Sequence, residues 1–256
     1  MTESKPLILI TNDDGITAKG IRFLVEAMKP LGEIVVVAPD KPQSGMGHAI
    51  TIHDPLRLEK SSVFEGVEAY TCSGTPVDCV KIAIYEVLKK RPTLLVSGIN
   101  HGSNAATNIL YSGTMSAAVE GAIENIPSIG FSLLDFDKNA DFDASMHYAR
   151  IIAEQVLKNG LPGSNCLNVN IPKGPLKEIK GAKICRQGRA YWDDQFEKRK
   201  SPFGGDYYWM SGQFTVSDKG EDTDMWALDH NYVSIVPIQF DMTAHHLISS
   251  LNEFDI

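Results

Sequence analysis

Apolar and polar segments alternate along the first 160 residues in a way that predicts a parallel β-sheet flanked by helices. Residues 7–11 and 34–38 are short, almost entirely apolar runs, which are typical of strands buried on both faces. The segment between them carries a helical stripe of apolar residues: Ile21, Leu24, Val25 and Met28. A strand, a helix and a strand within about 35 residues predict a right-handed βαβ unit.

The same alternation continues to residue 160. It predicts strands at 94–96 and 129–133, and helices that begin near Thr75, Thr114 and Asp143. Two stretches interrupt it: residues 49–71 have the short alternating pattern of antiparallel hairpins at a sheet edge, and residues after about 165 form short strands, turns and aromatic clusters. We therefore predict one α/β domain over residues 1–256, with an irregular, β-rich arm over residues 190–256.

Composition excludes several classes of protein. The chain has 256 residues, of which 43% are hydrophobic and 22% charged, values that exclude a disordered or fibrous protein. A net charge of -8 argues against binding to a nucleic acid polymer through bulk charge. No apolar run approaches the roughly 20 residues that span a bilayer, and residues 7–10 are too short for a signal peptide, so we expect no membrane contact and a cytoplasmic location. The four cysteines form no Cys-x-x-Cys pair, which favours reduced, buried thiols.

Polar loops follow three of the predicted strands, at residues 12–15 (Asn-Asp-Asp-Gly), 39–45 and 97–104. Each loop alone is typical of a turn. Ligands of open α/β sheets bind at the carboxyl ends of the strands, however, and these loops are expected to meet at that edge. Two adjacent carboxylates, a hydroxyl and an amide oxygen there are ligands that Mg²⁺ or Mn²⁺ prefers. The alternative is that Asp14 caps the next helix while Asp13 points into solvent.

A second group of candidate residues is Ser112-Gly113-Thr114, at the start of a helix of small residues. Free backbone N–H groups and hydroxyls at a helix N-terminus bind anions such as phosphate. The alternative is an ordinary N-cap followed by a tight bend. If the first interpretation holds, replacing Gly113 with Val should lower activity while metal binding is retained. The sequence contains no P-loop and no nucleophile elbow.

Taken together, these residues resemble the SurE family of stationary-phase survival proteins. The matching motifs run through nearly the whole chain in the family's order: residues 10–15, 38–41 with Ser44, 47–51, 74–80, 96–100, 112–114, 201–204, 208–209 and 232–235. The resemblance implies a Rossmann-like, three-layer fold with a mostly parallel sheet. It also implies a C-terminal arm exchanged between subunits of a homodimer or homotetramer.

The same resemblance implies a function. The family comprises metal-dependent nucleotidases that hydrolyse nucleoside 5′- and 3′-monophosphates and, in some members, short polyphosphate. It implies one divalent cation per subunit, Mg²⁺ or Mn²⁺, with Asp13, Asp14, Ser44 and Asn100 as ligands. Either aspartate could also accept a proton from the attacking water.

Phosphate is expected at Ser112, Gly113 and Thr114, and Asn104 is a further candidate for binding it. The roles of Asn104 and His101 are left open. Two alternatives compete with this interpretation: a phosphatase of the haloacid-dehalogenase type with a nucleophilic Asp13, and a nucleotide-sensing module without turnover.

Overall fold

The computed structural model describes residues 5–162 and 165–254. The strands in these ranges are β1 (Leu7–Thr11), β2 (Glu33–Pro39), β3 (Leu58–Lys60), β4 (Glu68–Cys72), β5 (Leu94–His101), β6 (Ser128–Leu133), β7 (Cys166–Ile171), β8 (Ala182–Ile184), β9 (Ala190–Lys200), β10 (Asp206–Val216) and β11 (Val233–Ile238). The α-helices are α1 (Lys19–Met28), α2 (Pro76–Ile82), α3 (Gly113–Ile123), α4 (Asp143–Asn159), α5 (Asp224–Asp229) and α6 (Ile248–Leu251). A π-helical turn (Ala83–Leu88) and three 3₁₀ segments (Ala106–Tyr111, Leu176–Glu178 and His245–Leu247) complete the helical structure described.

Nine strands form one sheet in the order β3-β4-β2-β1-β5-β6-β7-β11-β8. The central strands, from β4 to β7, are parallel, whereas β3 and β11 run antiparallel to β4 and β7. Strand β1 lies in the middle, between β2 and β5, and all of its residues are buried. This is why its sequence is an unbroken apolar run.

Helices cover both faces of the sheet. One hydrophobic core packs α1 and α4 against one face of the sheet. A second core packs α2 and Ala117 of α3 against the other face. Helix α1 approaches β5 very closely, since a Cβ on Gly20 would lie 1.8 Å from the carbonyl oxygen of Ile99. The predicted α/β fold with a mostly parallel sheet is thus confirmed. In the described residues, no helix is both long and apolar enough to cross a membrane.

Local predictions hold well in the first half of the chain. Helix α2 begins at Pro76 with Thr75 as its N-cap, and the side chain of Asp78 completes a capping box. Strands β3 and β4 form the predicted antiparallel pair at the sheet edge, although β4 also pairs with β2 in parallel.

The C-terminal third differs from its predicted irregular structure. Strands β7 and β11 belong to the main sheet, although β11 falls within the range assigned to the arm. Residues 190–216 form a long hairpin, in which β9 and β10 pair over eleven residues each. Nearly every residue of β9 and of the first half of β10 is exposed. Beyond its root, where Ala190 and Trp192 contact residues 107–108, neither face of the hairpin is covered by the rest of the described chain. Its exposed large side chains are Tyr191, Trp192, Phe196, Phe203, Tyr207, Tyr208, Trp209 and Met210.

Candidate metal and phosphate site

Asp13 lies directly after β1 and meets the first residues of α3. Its side chain is only 4% exposed. The hydroxyl and the backbone N–H of Thr114 both donate to its carboxylate. Gly113 packs on the same carboxylate, because a Cβ at this position would lie 2.7 Å from the Cβ of Asp13. The structure therefore brings Asp13 of the first group of candidate residues into contact with Gly113 and Thr114 of the second.

Burial and the proximity of the two carboxylates determine the electrostatics of this site. Burial, followed by the neighbouring charge of Asp14, raises the pKa of Asp13 to about 6, although the Thr114 hydrogen bonds act in the opposite direction. Burial also raises the pKa of Asp14, against the opposing effects of the His101 imidazole and the His101 backbone N–H. A bound cation would offset the repulsion between the two carboxylates.

Several oxygen atoms at this sheet edge are buried without a hydrogen-bond partner among the described residues. They include Oδ2 of Asp14 and Oδ1 of Asn12, together with the hydroxyls of Thr11 at the end of β1 and Ser97 in β5. Buried polar atoms are normally paired, so an unpaired one calls for an explanation. A group of unpaired oxygens beside two carboxylates has the donor chemistry that a hard divalent cation prefers. The residues present therefore fit such a cation.

The other two predicted ligands are Ser44 and Asn100. Ser44 lies on the loop that follows β2, and Asn100 lies within β5 near its end. The Gln43 N–H donates to the carbonyl oxygen of Asp13 at 2.7 Å, which ties the Ser44 loop to the first aspartate. Ser44 itself is exposed. Asn100 follows an irregularity in the pairing of β5 with β6, and its amide nitrogen donates to the Gly102 carbonyl at 2.9 Å. Its amide oxygen is then the group that could bind a cation.

The predicted phosphate-binding residues have partners within the protein. Ser112 caps α3 by accepting a hydrogen bond of 3.0 Å from the Met115 N–H, as the alternative interpretation expected. The Thr114 hydroxyl is directed at Asp13. The N-terminus of α3 therefore holds the Asp13 carboxylate, and any phosphoryl group bound there would lie beside it.

Asn104 is held by a separate polar network at the ends of β6 and β7. It is buried, its side-chain nitrogen donates to the Ser132 hydroxyl, and its backbone N–H donates to the side chain of Asn170, each at 2.8 Å. The side chain of Asn168 donates to its carbonyl oxygen at 2.8 Å. Among the described residues, the hydrogen-bond partners of Asn104 are Ser132, Asn168 and Asn170 and include neither Asp13 nor Asp14, so a phosphate-binding role for Asn104 stays a prediction.

Sequence analysis missed two buried carboxylates that anchor the loop carrying Ser44. Glu120 of α3 is 2% exposed and accepts hydrogen bonds from His48, at 2.9 Å, and from Lys81. Burial raises the pKa of Glu120, but these two partners outweigh it and the net shift is downward. Asp78 accepts a hydrogen bond of 2.6 Å from the Thr51 hydroxyl. An acidic residue within a helix of small residues was the available signal for Glu120.

His101, whose role the sequence left open, lies beside Asp14. Its imidazole and backbone N–H both lower the pKa of that carboxyl group. The ring is oriented by an edge contact with Phe142, with ring centroids 5.1 Å apart, and by the Asp135 carbonyl oxygen at 3.2 Å from Nδ1. His101 is thus a neighbour of Asp14 that favours the ionised form of its carboxyl group.

Comparisons with known proteins identify the family. A family model described as "Survival protein SurE" matches residues 8–194. The chain is 61% identical over 254 residues to a protein of Flavobacterium psychrophilum named 5′-nucleotidase SurE, covering 99% of each chain. It is 59% identical over 257 residues to the protein of that name from Flavobacterium johnsoniae, covering 100% of this chain and 99% of the relative.

The fold comparison gives the same result. The crystal structure of the SurE protein from Aquifex aeolicus matches with a TM-score of 0.83 and 39% identity, over 96% of this chain and 98% of that chain. The family model, the full-length relatives and the shared fold are three agreeing observations, and from them we conclude that this chain belongs to the SurE family.

Proposed function

We propose that this protein is a metal-dependent phosphomonoesterase that hydrolyses nucleoside 5′-monophosphates to nucleoside and phosphate. The observation that carries the proposal is the buried Asp13, set against the N-terminus of α3, beside the half-buried Asp14, whose Oδ2 is buried and unpaired among the described residues. Its close relatives carry the name 5′-nucleotidase. Nucleoside 3′-monophosphates and short polyphosphate are further proposed substrates.

The proposed cofactor is one divalent cation per subunit, Mg²⁺ or Mn²⁺, held by Asp13, Asp14, Ser44 and Asn100. When bound, such a cation supplies positive charge for a phosphoryl oxygen and makes a water molecule more acidic. The two aspartates provide the negative charge that selects the cation. The serine and asparagine provide neutral oxygens. The charges of the two carboxylates and the cation would then cancel, so the loaded site would not repel a negatively charged phosphate monoester.

Residues of the chain perform the remaining steps. The Thr114 and Met115 N–H groups are already bonded to Asp13 and Ser112, so the Gly113 N–H at the start of α3 is the backbone group proposed to stabilise negative charge on a phosphoryl oxygen. Gly113 allows a close approach because it has no side chain. One of the two aspartates accepts the proton of the attacking water. Asn104 is proposed to bind the phosphoryl group.

Phosphate release from a panel of nucleotides tests the proposal. The protein is stripped with chelator and then supplied with each divalent metal in turn. We expect no release after chelation and recovery with Mn²⁺ or Mg²⁺. Activity that survives exhaustive chelation would refute the metal-dependent mechanism. Tight nucleotide binding without turnover under any metal would instead identify a sensing module, and a trapped aspartyl-phosphate on Asp13 would identify haloacid-dehalogenase chemistry.

We also propose that the protein is a homodimer or homotetramer that binds neither nucleic acid polymers nor membranes. The support is the hairpin β9–β10, whose aromatic side chains, such as Trp209 at 59% exposure, lie uncovered by the described chain. Large exposed apolar surfaces of this kind mark interaction sites. A monomer in sedimentation at micromolar concentration would refute it. A cytoplasmic location stays a prediction, which cell fractionation tests.

A further inference from the structure

The 3₁₀ segment Ala106–Tyr111 leads directly into Ser112, the N-cap of α3. Its position therefore affects where the N-terminus of α3 meets Asp13. Three consecutive residues of this segment are hydrogen-bonded to the C-terminal part of the chain rather than to the neighbouring sheet strands. These three residues are Ala106, Thr107 and Asn108.

The first of these contacts is made by Asp224, the first residue of α5. Its side chain is fully buried. Oδ2 accepts a hydrogen bond of 2.8 Å from the Ala106 N–H, and Oδ1 accepts bonds of 2.8 Å from the N–H groups of Gly188 and Met225. Ala106 has a φ of 52°, in the left-handed region that residues with a side chain rarely adopt. The hydrogen bond that the Ala106 N–H donates to Asp224 holds Ala106 in that conformation.

The other two contacts come from the root of the hairpin. The Thr107 hydroxyl donates to the Ala190 carbonyl at 2.8 Å, and the Trp192 indole N–H donates to the Asn108 side chain at 2.8 Å. Gly188, which Asp224 also holds, comes just before β9. One carboxylate thus fixes both the segment that leads into the site and the chain that leads into the hairpin.

We propose that Asp224 is a positioning residue for the phosphoryl-binding end of the site. It holds Ala106, and through the 3₁₀ segment it sets the position of Ser112 to Thr114 relative to Asp13. The inference rests on the proposed phosphatase function. The competing explanation is that Asp224 only stabilises the attachment of the hairpin, in which case its loss would lower stability without changing how the folded enzyme binds phosphate.

The variant Asp224→Asn separates the two explanations. An asparagine can keep the bonds to Gly188 and Met225 through its oxygen but then presents an N–H donor to the Ala106 N–H. We expect the KM for a nucleoside monophosphate to rise and kcat/KM to fall roughly tenfold, as for a hydrogen bond to a charged group. The Kd for Mn²⁺ alone should change much less than KM does, because the hydrogen bonds of Asp224 go to Ala106, Gly188 and Met225 and not to the aspartate pair.

A second pair of variants keeps the test independent of how Asp224→Asn folds. Thr107→Val removes the bond to Ala190 at nearly constant volume, whereas Thr107→Ser retains the hydroxyl. We expect Thr107→Val to raise KM several-fold and Thr107→Ser to restore it. Ser211→Ala is the matched control, because it removes a hydrogen bond within the hairpin, from Ser211 to Gln195, away from the 3₁₀ segment. It should leave KM unchanged.

The affinity for inorganic phosphate in the presence of Mn²⁺, measured by calorimetry, distinguishes the possible failures. Folded Asp224→Asn and Thr107→Val enzymes with a lower Tm but wild-type KM and phosphate affinity would overturn the positioning role. A wild type that binds phosphate but releases none from nucleotides would refute the proposed function alone, and weaker phosphate binding by the variants would still support positioning. A wild type that does neither refutes both.

Discussion

Replacing Asp13 with asparagine should make the metal-free protein more stable. The pKa of Asp13 lies at about 6, against an ordinary value of 3.8, so the folded state binds this proton more tightly than the unfolded state. Stability is therefore lost as the pH rises from about 4 to above 6. A shift of this size corresponds to about 3 kcal/mol. An uncharged asparagine removes that loss, but it weakens the hydrogen bonds from Thr114, which costs about 1–2 kcal/mol.

Urea unfolding in chelator measures the net effect. We expect Asp13→Asn to exceed the wild type by about 1–2 kcal/mol at about pH 7.5, and this difference to shrink by about 2 kcal/mol at about pH 4.5. The pH dependence is the decisive part, because a change in packing alone would shift stability equally at both pH values. An advantage that is absent at the higher pH, or that persists undiminished at the lower one, would refute the electrostatic argument.

Added metal should reverse the order of stability. At a Mn²⁺ concentration about 100 times the wild-type Kd, the wild type gains about 2.7 kcal/mol. Removing one of two charged ligands should raise the Kd by about 100-fold, and the variant then gains only about 0.4 kcal/mol. Equal stabilisation of both proteins by Mn²⁺ would show that Asp13 is not a metal ligand.

Three further predictions follow from contacts at the same sheet edge. Gly113→Ala should weaken Mn²⁺ binding and lower stability by about 1–3 kcal/mol, because its Cβ would lie 2.7 Å from that of Asp13. This differs from the expectation, drawn from the sequence, that substitution at Gly113 retains metal binding. Mn²⁺ titration and urea unfolding of the variant distinguish the two. Asn100→Ala should weaken Mn²⁺ binding less than Asp13→Asn does, since water can replace a neutral ligand; calorimetry that ranks them in the opposite order would contradict this. Gly20→Ala should destabilise the protein by about 3 kcal/mol or more, since its Cβ would lie 1.8 Å from the Ile99 carbonyl oxygen; a wild-type Tm would show that α1 can move aside.

The sequence predicts most of the sheet because strands buried on both faces consist of continuous apolar runs. Strand β7 escapes this rule, because its buried positions include Asn168 and Asn170, whose polar side chains are paired within the interior. The hairpin β9–β10 escapes it for the opposite reason. Beyond its root, neither of its faces is buried by the rest of the described chain, so its pattern of apolar residues does not distinguish an inner from an outer side.

The candidate site was predictable only in part. Asp13 and Asp14 could be located because the end of β1 is a local feature of the sequence. Their contact with Thr114 could not be predicted from any pattern, because periodicity shows which face of an element is buried and not which element covers it. Asp13 and Thr114 lie 101 positions apart. The family resemblance named the proposed ligands, but the meeting of Asp13 with Gly113 and the role of Glu120 became visible only in the folded chain.

The order of strands in the sheet differs from their order along the chain, and this affects which strands can pair during synthesis. Strand β11 lies between β7 and β8, and β8 pairs with no other described strand. A ribosome that has completed residue 184 has therefore made β8 about fifty positions before the strand it needs. Until residues 233–238 emerge, the edge of β7 remains open, and exposed edges of this kind promote pairing with other chains. The nascent protein thus depends on β11 to cover the edge of β7 and to attach β8 to the sheet.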